Sequence, residues 1–107
     1  MFIYVAGPLT KGNYAHNVHN AIVAADKLVQ AGHVPFIPHL AAFWELVCPH
    51  DYEYWMRYDL NWLSKCDGLV RLPGESSGAD REVQYARNLK MPVYIGLEAL
   101  LGNAGNY

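Results

Sequence analysis

Four apolar runs punctuate the chain: Phe2–Ala6, His33–Pro38, Gly68–Leu72 and Pro92–Ile95. All are short. The first, third and fourth are nearly continuous in apolar character, as strands covered on both faces tend to be. Between them the apolar spacing changes to that of a helix. From Asn17 to Gln30, Val18, Ile22, Ala25 and Val29 recur at intervals of four, three and four, and Gly32 follows as a C-terminal stop. Tyr52, Met56, Leu60 and Leu63 form a second stripe between Asp51 and Lys65, and Ala79, Val83 and Ala86 a third between Gly78 and Leu89. The tail "LEALLGNAGNY" reads as a short helix and then a loose end. The segment from Leu40 to His50 is aromatic and least regular: a cover over a pocket, or packing over an edge of the core.

Strand and helix alternate throughout, which predicts an α/β sandwich built on a parallel sheet. With 107 residues, no linker, no internal repeat and no low-complexity segment, residues 1–107 are expected to form one domain. Hydrophobic residues make up 52% and charged residues 17%, so the chain can afford a core and is not a disordered one. A net charge of -2, with Lys and Arg scattered, gives no basic stripe for nucleic acid. No apolar run approaches a membrane span and the N-terminus has no signal-peptide pattern, so the expected location is the cytoplasm. The two cysteines, Cys48 and Cys66, are expected to be unpaired. His39, Cys48 and His50 lie close in sequence but match no compact zinc-ligand spacing, so no metal is expected.

In an open parallel sheet, ligands bind beyond the carboxyl ends of the strands where the strand order reverses. For an order 2-1-3-4, that reversal lies between the first and third strands. The turns following them, "GPLTKGN" (Gly7–Asn13) and "PGESSG" (Pro73–Gly78), are rich in glycine, which lets backbone approach a ligand closely. The first has glycines at P-loop spacing without the Lys-Ser/Thr pair that should follow, and it is not G-x-G-x-x-G. The second offers Ser76, Ser77 and free N–H groups at a helix start, a fair seat for one phosphate. Capping alone also explains it, with Ser77 as cap and Asp80 completing a capping box.

Two carboxylates stand out nearby. Glu82 lies one turn inside the third helix among small neighbours, Ala79 and Ala86, which leave room for a ligand. An ionised, partly desolvated carboxylate there can attack an electrophilic sugar carbon, although an acid on a helix is ordinarily a solvated one. Asp59 sits at the edge of the second stripe, where an acid is costly unless paired or functional, and could donate a proton. Asp67, just before the third strand, reads as a turn acid. Tyr4 could orient a carboxylate or simply fill the core.

"YVAGPLT" (Tyr4–Thr10), "MRYDLNWLSKCDGLVRLPG" (Met56–Gly74) and "SSGADREVQYA" (Ser76–Ala86) together resemble the nucleoside 2-deoxyribosyltransferase-like superfamily over the chain up to about residue 96. The pattern is nearest to small phage-associated members of unassigned function and is related to the 2′-deoxynucleoside 5′-phosphate N-hydrolases. The resemblance implies a flavodoxin- or Rossmann-like three-layer sandwich, with four or five strands in the order 2-1-3-4 and helices on both faces. It also implies a site near a subunit interface of a homodimer or higher homo-oligomer.

By the same resemblance, Glu82 matches the nucleophile on C1′, Asp59 the residue that contacts or protonates the base, and Tyr4 the phenol that assists the glutamate. Ser76 occupies the position where the nucleotide hydrolases carry a phosphate-binding serine and the nucleoside transferases an acid. The first loop departs from the hydrolases in offering Lys11 and His16 but no arginine. Gly7, Pro8, Lys11, Ser76, Ser77, Gly78 and Ala79 are expected to hold phosphate and sugar. The function expected is cofactor-free N-glycosidic cleavage of a nucleoside 5′-monophosphate or related nucleotide. Base exchange by a deoxyribosyltransferase and non-catalytic binding of a nucleotide-derived ligand are the alternatives.

Overall fold

Strand β1 (Phe2–Ala6) runs through the centre of the protein, as the near-continuous apolar run requires. Its alternation puts Ile3 and Val5 on one face and Tyr4 and Ala6 on the other, and all four are buried. The computed structural model describes residues 1–102. β1 pairs in parallel with β2 (Val34–Phe36) on one side and β3 (Gly68–Arg71) on the other, and β3 pairs in parallel with β4 (Val93–Ile95). The order is β2-β1-β3-β4, as expected, with the reversal between β1 and β3.

Two helical layers cover this sheet. On one face, Ile3, Val5, Val70 and Leu72 pack against Ala21, Ala24 and Leu28 of α1 (Tyr14–Gln30) and Leu101 of α5 (Leu97–Leu101). On the other, Tyr4, Ala6 and Leu69 pack against Leu63 of α3 (Tyr52–Leu63) and Ala79, Val83 and Ala86 of α4 (Ser77–Asn88). The architecture is thus the three-layer α/β sandwich. The apolar stripe of α4 is the one read from sequence. In α3, Met56 and Leu63 are buried and Leu60 half-buried, whereas Tyr52 is exposed.

The buried face of α1 differs from expectation. Ala21, Ala24, Ala25 and Leu28 face inward, while Ile22 and Val29 are 44% and 57% exposed. Apolar residues surround much of this helix, so spacing alone admits two faces about 100° apart. Alanine allows the closer approach to a sheet already filled by Ile3 and Val5. The helix also begins earlier, at Tyr14, because Asn13 caps it by accepting from the His16 N–H at 2.9 Å.

The irregular segment becomes a 3₁₀ turn (Pro38–Ala41) and a short helix, α2 (Ala42–Val47). The short helix expected in the tail is α5, and the loose end expected after it lies outside the described residues. No helix of the described residues is long and apolar enough to cross a membrane.

Candidate functional site

The two turns beyond β1 and β3 meet at the point of reversal. Gly74 has φ +115°, and a Cβ there would lie 2.7 Å from Cγ of Pro8, so glycine is what lets the β3–α4 turn close against the β1–α1 turn. The first turn is held from both sides. The Asn17 side-chain amide donates to the carbonyls of Leu9 and Lys11, at 2.9 and 2.7 Å, and His39 Nε2 lies 3.0 Å from the Pro8 carbonyl. Across the turns, Lys11 Nζ meets Glu75 Oε1 at 2.8 Å in an exposed ion pair.

The second turn leads into α4, whose N-cap is Ser76 and not Ser77. Ser76 is extended (φ -162°, ψ 111°) and its Oγ accepts from the Ala79 N–H at 3.1 Å. Asp80 therefore completes no capping box. It is drawn instead to Arg71, whose guanidinium lies 3.0 Å from it. With one N–H satisfied by Ser76, the remaining first-turn N–H groups and the positive end of the helix dipole are available to an anion. Gly78 belongs to this turn for a second reason: a Cβ would come within 3.2 Å of the Tyr52 hydroxyl, so its absence lets α3 approach the start of α4.

One helical turn further on, Glu82 is buried at 5% exposure. The Tyr4 hydroxyl donates to its Oε2, joining the central strand to α4. Burial pushes the Glu82 carboxyl up to about 8, opposed by the Tyr4 hydrogen bond and Arg71's charge and reinforced by Asp59. Asp59, half-buried on α3, is pushed up to about 7 by burial. The Tyr4 phenol is raised well above its ordinary value, chiefly by burial and then by the nearby Glu82. Tyr4 and Glu82 are thus joined by a hydrogen bond, and the charge of Asp59 acts on both in a site partly shielded from water. Asp67 lies outside this cluster, where it accepts from the Phe2 N–H at 2.8 Å.

Glu82 and Asp59 line one cavity of about 480 Å³, in company with Gly7, Lys11, Ser76, Ser77, Gly78 and Ala79. That size lies within the range of small-molecule sites, roughly 300–1,000 Å³. Tyr4 touches it through Glu82. Pro8 is placed differently: it lines a smaller cavity of about 210 Å³, with Asn17, Lys27 and Leu72 among its walls.

A further wall of the larger cavity holds residues that sequence spacing did not name, in and beside the segment 40–50 read as a cover over a pocket or over an edge of the core. It comes from the irregular segment and the start of α3, including His39, Glu45, His50, Tyr52 and Trp55. Glu45 is fixed by the His50 backbone N–H at 2.6 Å and then by the Trp55 indole N–H at 2.9 Å, hydrogen bonds that hold its carboxyl below the usual range. His39 is buried, its Nδ1 lacks a partner among the described residues, and desolvation keeps its ring below the ordinary histidine value. Only the density of aromatic residues in 40–58 hinted at this wall. Among the described residues, no three His, Cys, Asp or Glu side chains are gathered as metal ligands, His39, Cys48 and His50 included.

No curated protein matches the chain. Among solved structures, the chain is similar to the 2-deoxyribosyltransferase from the psychrotolerant bacterium Bacillus psychrosaccharolyticus. The TM-score is 0.62 and the identity 22%, over 88% of this chain and 70% of that one. The fold is therefore nucleoside 2-deoxyribosyltransferase-like. Residues 1–95 match the family model described as "Domain of unknown function (DUF4406)", and the chain belongs to that family.

Proposed function

We propose that this protein is an N-glycosidase that cleaves the base–sugar bond of a nucleoside 5′-monophosphate or a related nucleotide. The observation that carries the reading is the buried Glu82 carboxyl, held by Tyr4 and facing the same cavity as Asp59 and the Ser76-capped start of α4. The helix start seats the phosphate, with Ser76 and Ser77 offering hydroxyls and Gly78 backbone. The aromatic wall of Tyr52 and Trp55 suits a planar base.

The reactive form has Glu82 ionised and Asp59 protonated, the less populated of the two singly protonated arrangements of a pair in which Glu82 is pushed up to about 8 and Asp59 to about 7. A Glu82 oxygen bonds to C1′ as the glycosidic C–N bond breaks, and its electron pair leaves with the base. Asp59 gives its proton to the departing nitrogen. Water then attacks C1′ and gives a proton back to Asp59, releasing the sugar phosphate and the Glu82 carboxylate. The site is expected to lie near an interface with a second copy of the chain. On α2 and the turn before it, Leu40, Phe43, Leu46 and Val47 are 61–80% exposed, while Ala41, Ala42 and Glu45 of the same segment line the cavity.

The test is incubation with a panel of nucleoside monophosphates, following free base by chromatography. Wild type is expected to release base from at least one of them, and Glu82→Ala to lose 10³-fold or more of that turnover, on the order seen for removed nucleophiles, while still binding ligand. The likeness to a transferase supports a second reading, base exchange, which an added free base would reveal by outpacing hydrolysis. Release from none of them, with or without added base, would leave a binding module.

A further inference from the structure

We propose that Glu45 is a specificity-determining residue: its carboxylate accepts from the exocyclic amino group of a base, so the site selects adenine or cytosine over hypoxanthine or uracil, which carry a carbonyl in that place. Glu45 stands on α2 and lines the larger cavity together with Trp55 and Asp59 of α3. Two donors fix its orientation. Oε1 accepts from the His50 backbone N–H at 2.6 Å and from the Trp55 indole N–H at 2.9 Å. Oε2 is left with a 3.3 Å contact from the same His50 N–H, so its lone pairs are largely open among the described residues. Trp55 is itself held edge-on by Trp44, Tyr54 and Tyr58, with ring centroids 5.2, 5.3 and 5.9 Å away. The carboxylate is therefore fastened to the rim of a ring that its neighbours hold in place.

Its place along the wall suits the far edge of a base. Trp55 and Asp59 are four residues apart on α3, one turn of helix and about 6 Å along its axis. A base lying against this wall with its leaving nitrogen at Asp59 turns its opposite edge toward Glu45. The carboxyls of the cavity also differ in kind. Burial raises Glu82 and Asp59, whereas the His50 and Trp55 hydrogen bonds hold Glu45 below the usual range. Near neutral pH Glu45 can therefore accept a hydrogen bond and has none to give. An amino group meets it as a donor. A carbonyl in the same place sets lone pair against lone pair beside a fixed negative charge.

The preference rests on the nucleotide-binding half of the proposed function and not on turnover, so it is read from affinity. Calorimetry compares cytidine with uridine 5′-monophosphate, and adenosine with inosine 5′-monophosphate. In the pair that binds more tightly, wild type is expected to favour the amino member by on the order of ten- to a hundredfold, as a hydrogen bond to a charged acceptor allows. Glu45→Gln then supplies a sharper sign. His50 and Trp55 both donate at Oε1, so the amide oxygen is held there and the amide N–H₂ takes the place of Oε2. An acceptor becomes a donor, and the preference is expected to fall away or reverse toward the carbonyl member. If Glu45 only tethers α2 to α3, both members change together. Wild type that binds the two members within about twofold of each other, or the carbonyl member more tightly, overturns the proposal whether or not the variant folds. A preference that survives in Glu45→Gln, or an equal loss of both members, overturns it too. Should none of the four bind, the nucleotide reading falls and this proposal with it. Base release without the preference leaves that reading standing and removes this one alone.

Discussion

Glu82 and Asp59 set the pH behaviour of the protein at the level of single residues. Their ordinary values are 4.5 and 3.8, and the folded protein raises them to about 8 and about 7. Each binds its proton more tightly folded than unfolded. The stability they contribute is therefore complete below about pH 4 and lost as pH rises through about 7 to 8. Glu82→Gln keeps an acceptor for Tyr4 and cannot ionise. Its melting temperature is expected to match wild type near pH 4 and to exceed it near pH 9; a gap of the same size at both pH values would refute this. Lys11 supplies a second prediction. Its ammonium is paired with Glu75, which in the proposed reaction would compete with the substrate phosphate for it. Glu75→Gln is expected to lower KM several-fold for nucleoside monophosphates, on the scale of a surface ion pair, and to leave nucleosides lacking phosphate unchanged. Equal change for both substrates would show that Glu75 acts otherwise.

At the scale of elements, the site depends on how α4 begins. Its face and existence were legible from Ala79, Val83 and Ala86, and the Ser-rich start from "ESSG". Which serine caps it was not, because two adjacent serines are both able to cap and the contact of Asp80 with Arg71, nine residues away, follows no local pattern. The same holds for Gly74. Its sequence context announces a turn, but only the meeting of two turns shows that a side chain would strike Pro8. Gly74→Ala is expected to cost about 2–3 kcal/mol, from the left-handed backbone and the overlap together. Urea denaturation with a loss under about 0.5 kcal/mol would contradict it. The Glu53–Arg81 pair between α3 and α4 is exposed, so for all its two-pronged geometry solvent screens it and it adds little to holding Asp59's helix beside Glu82's.

Across the whole molecule, the parallel order β2-β1-β3-β4 brings turns more than sixty residues apart to one crevice. The apolar surface of α2 flanks that crevice. Phe43 and Val47 are 80% and 79% exposed, unusual for large apolar side chains beside a cavity. If a second copy covers them, sedimentation velocity of wild type will give a dimer or larger species. Phe43→Glu with Val47→Glu will then sediment as a monomer with its fold intact by circular dichroism. A wild-type protein that is already monomeric at tens of micromolar would remove the interface from the proposed site.

Apolar spacing by itself determined the alternation of strand and helix, the parallel sheet and the inner face of α4, because these follow from local periodicity and the short crossovers it permits. It also marked Glu82 and Asp59 as acids set among small or apolar neighbours. The inner face of α1 was decided only by packing, since a helix apolar on several sides turns toward the layer that fits it best. Aromatic density suggested a cover over a pocket at 40–50, but which residues from 38 to 55 face the cavity, and the contact of Arg71 with Asp80, were decided in three dimensions. They join residues whose separation along the chain follows no period, so periodicity could not assign them.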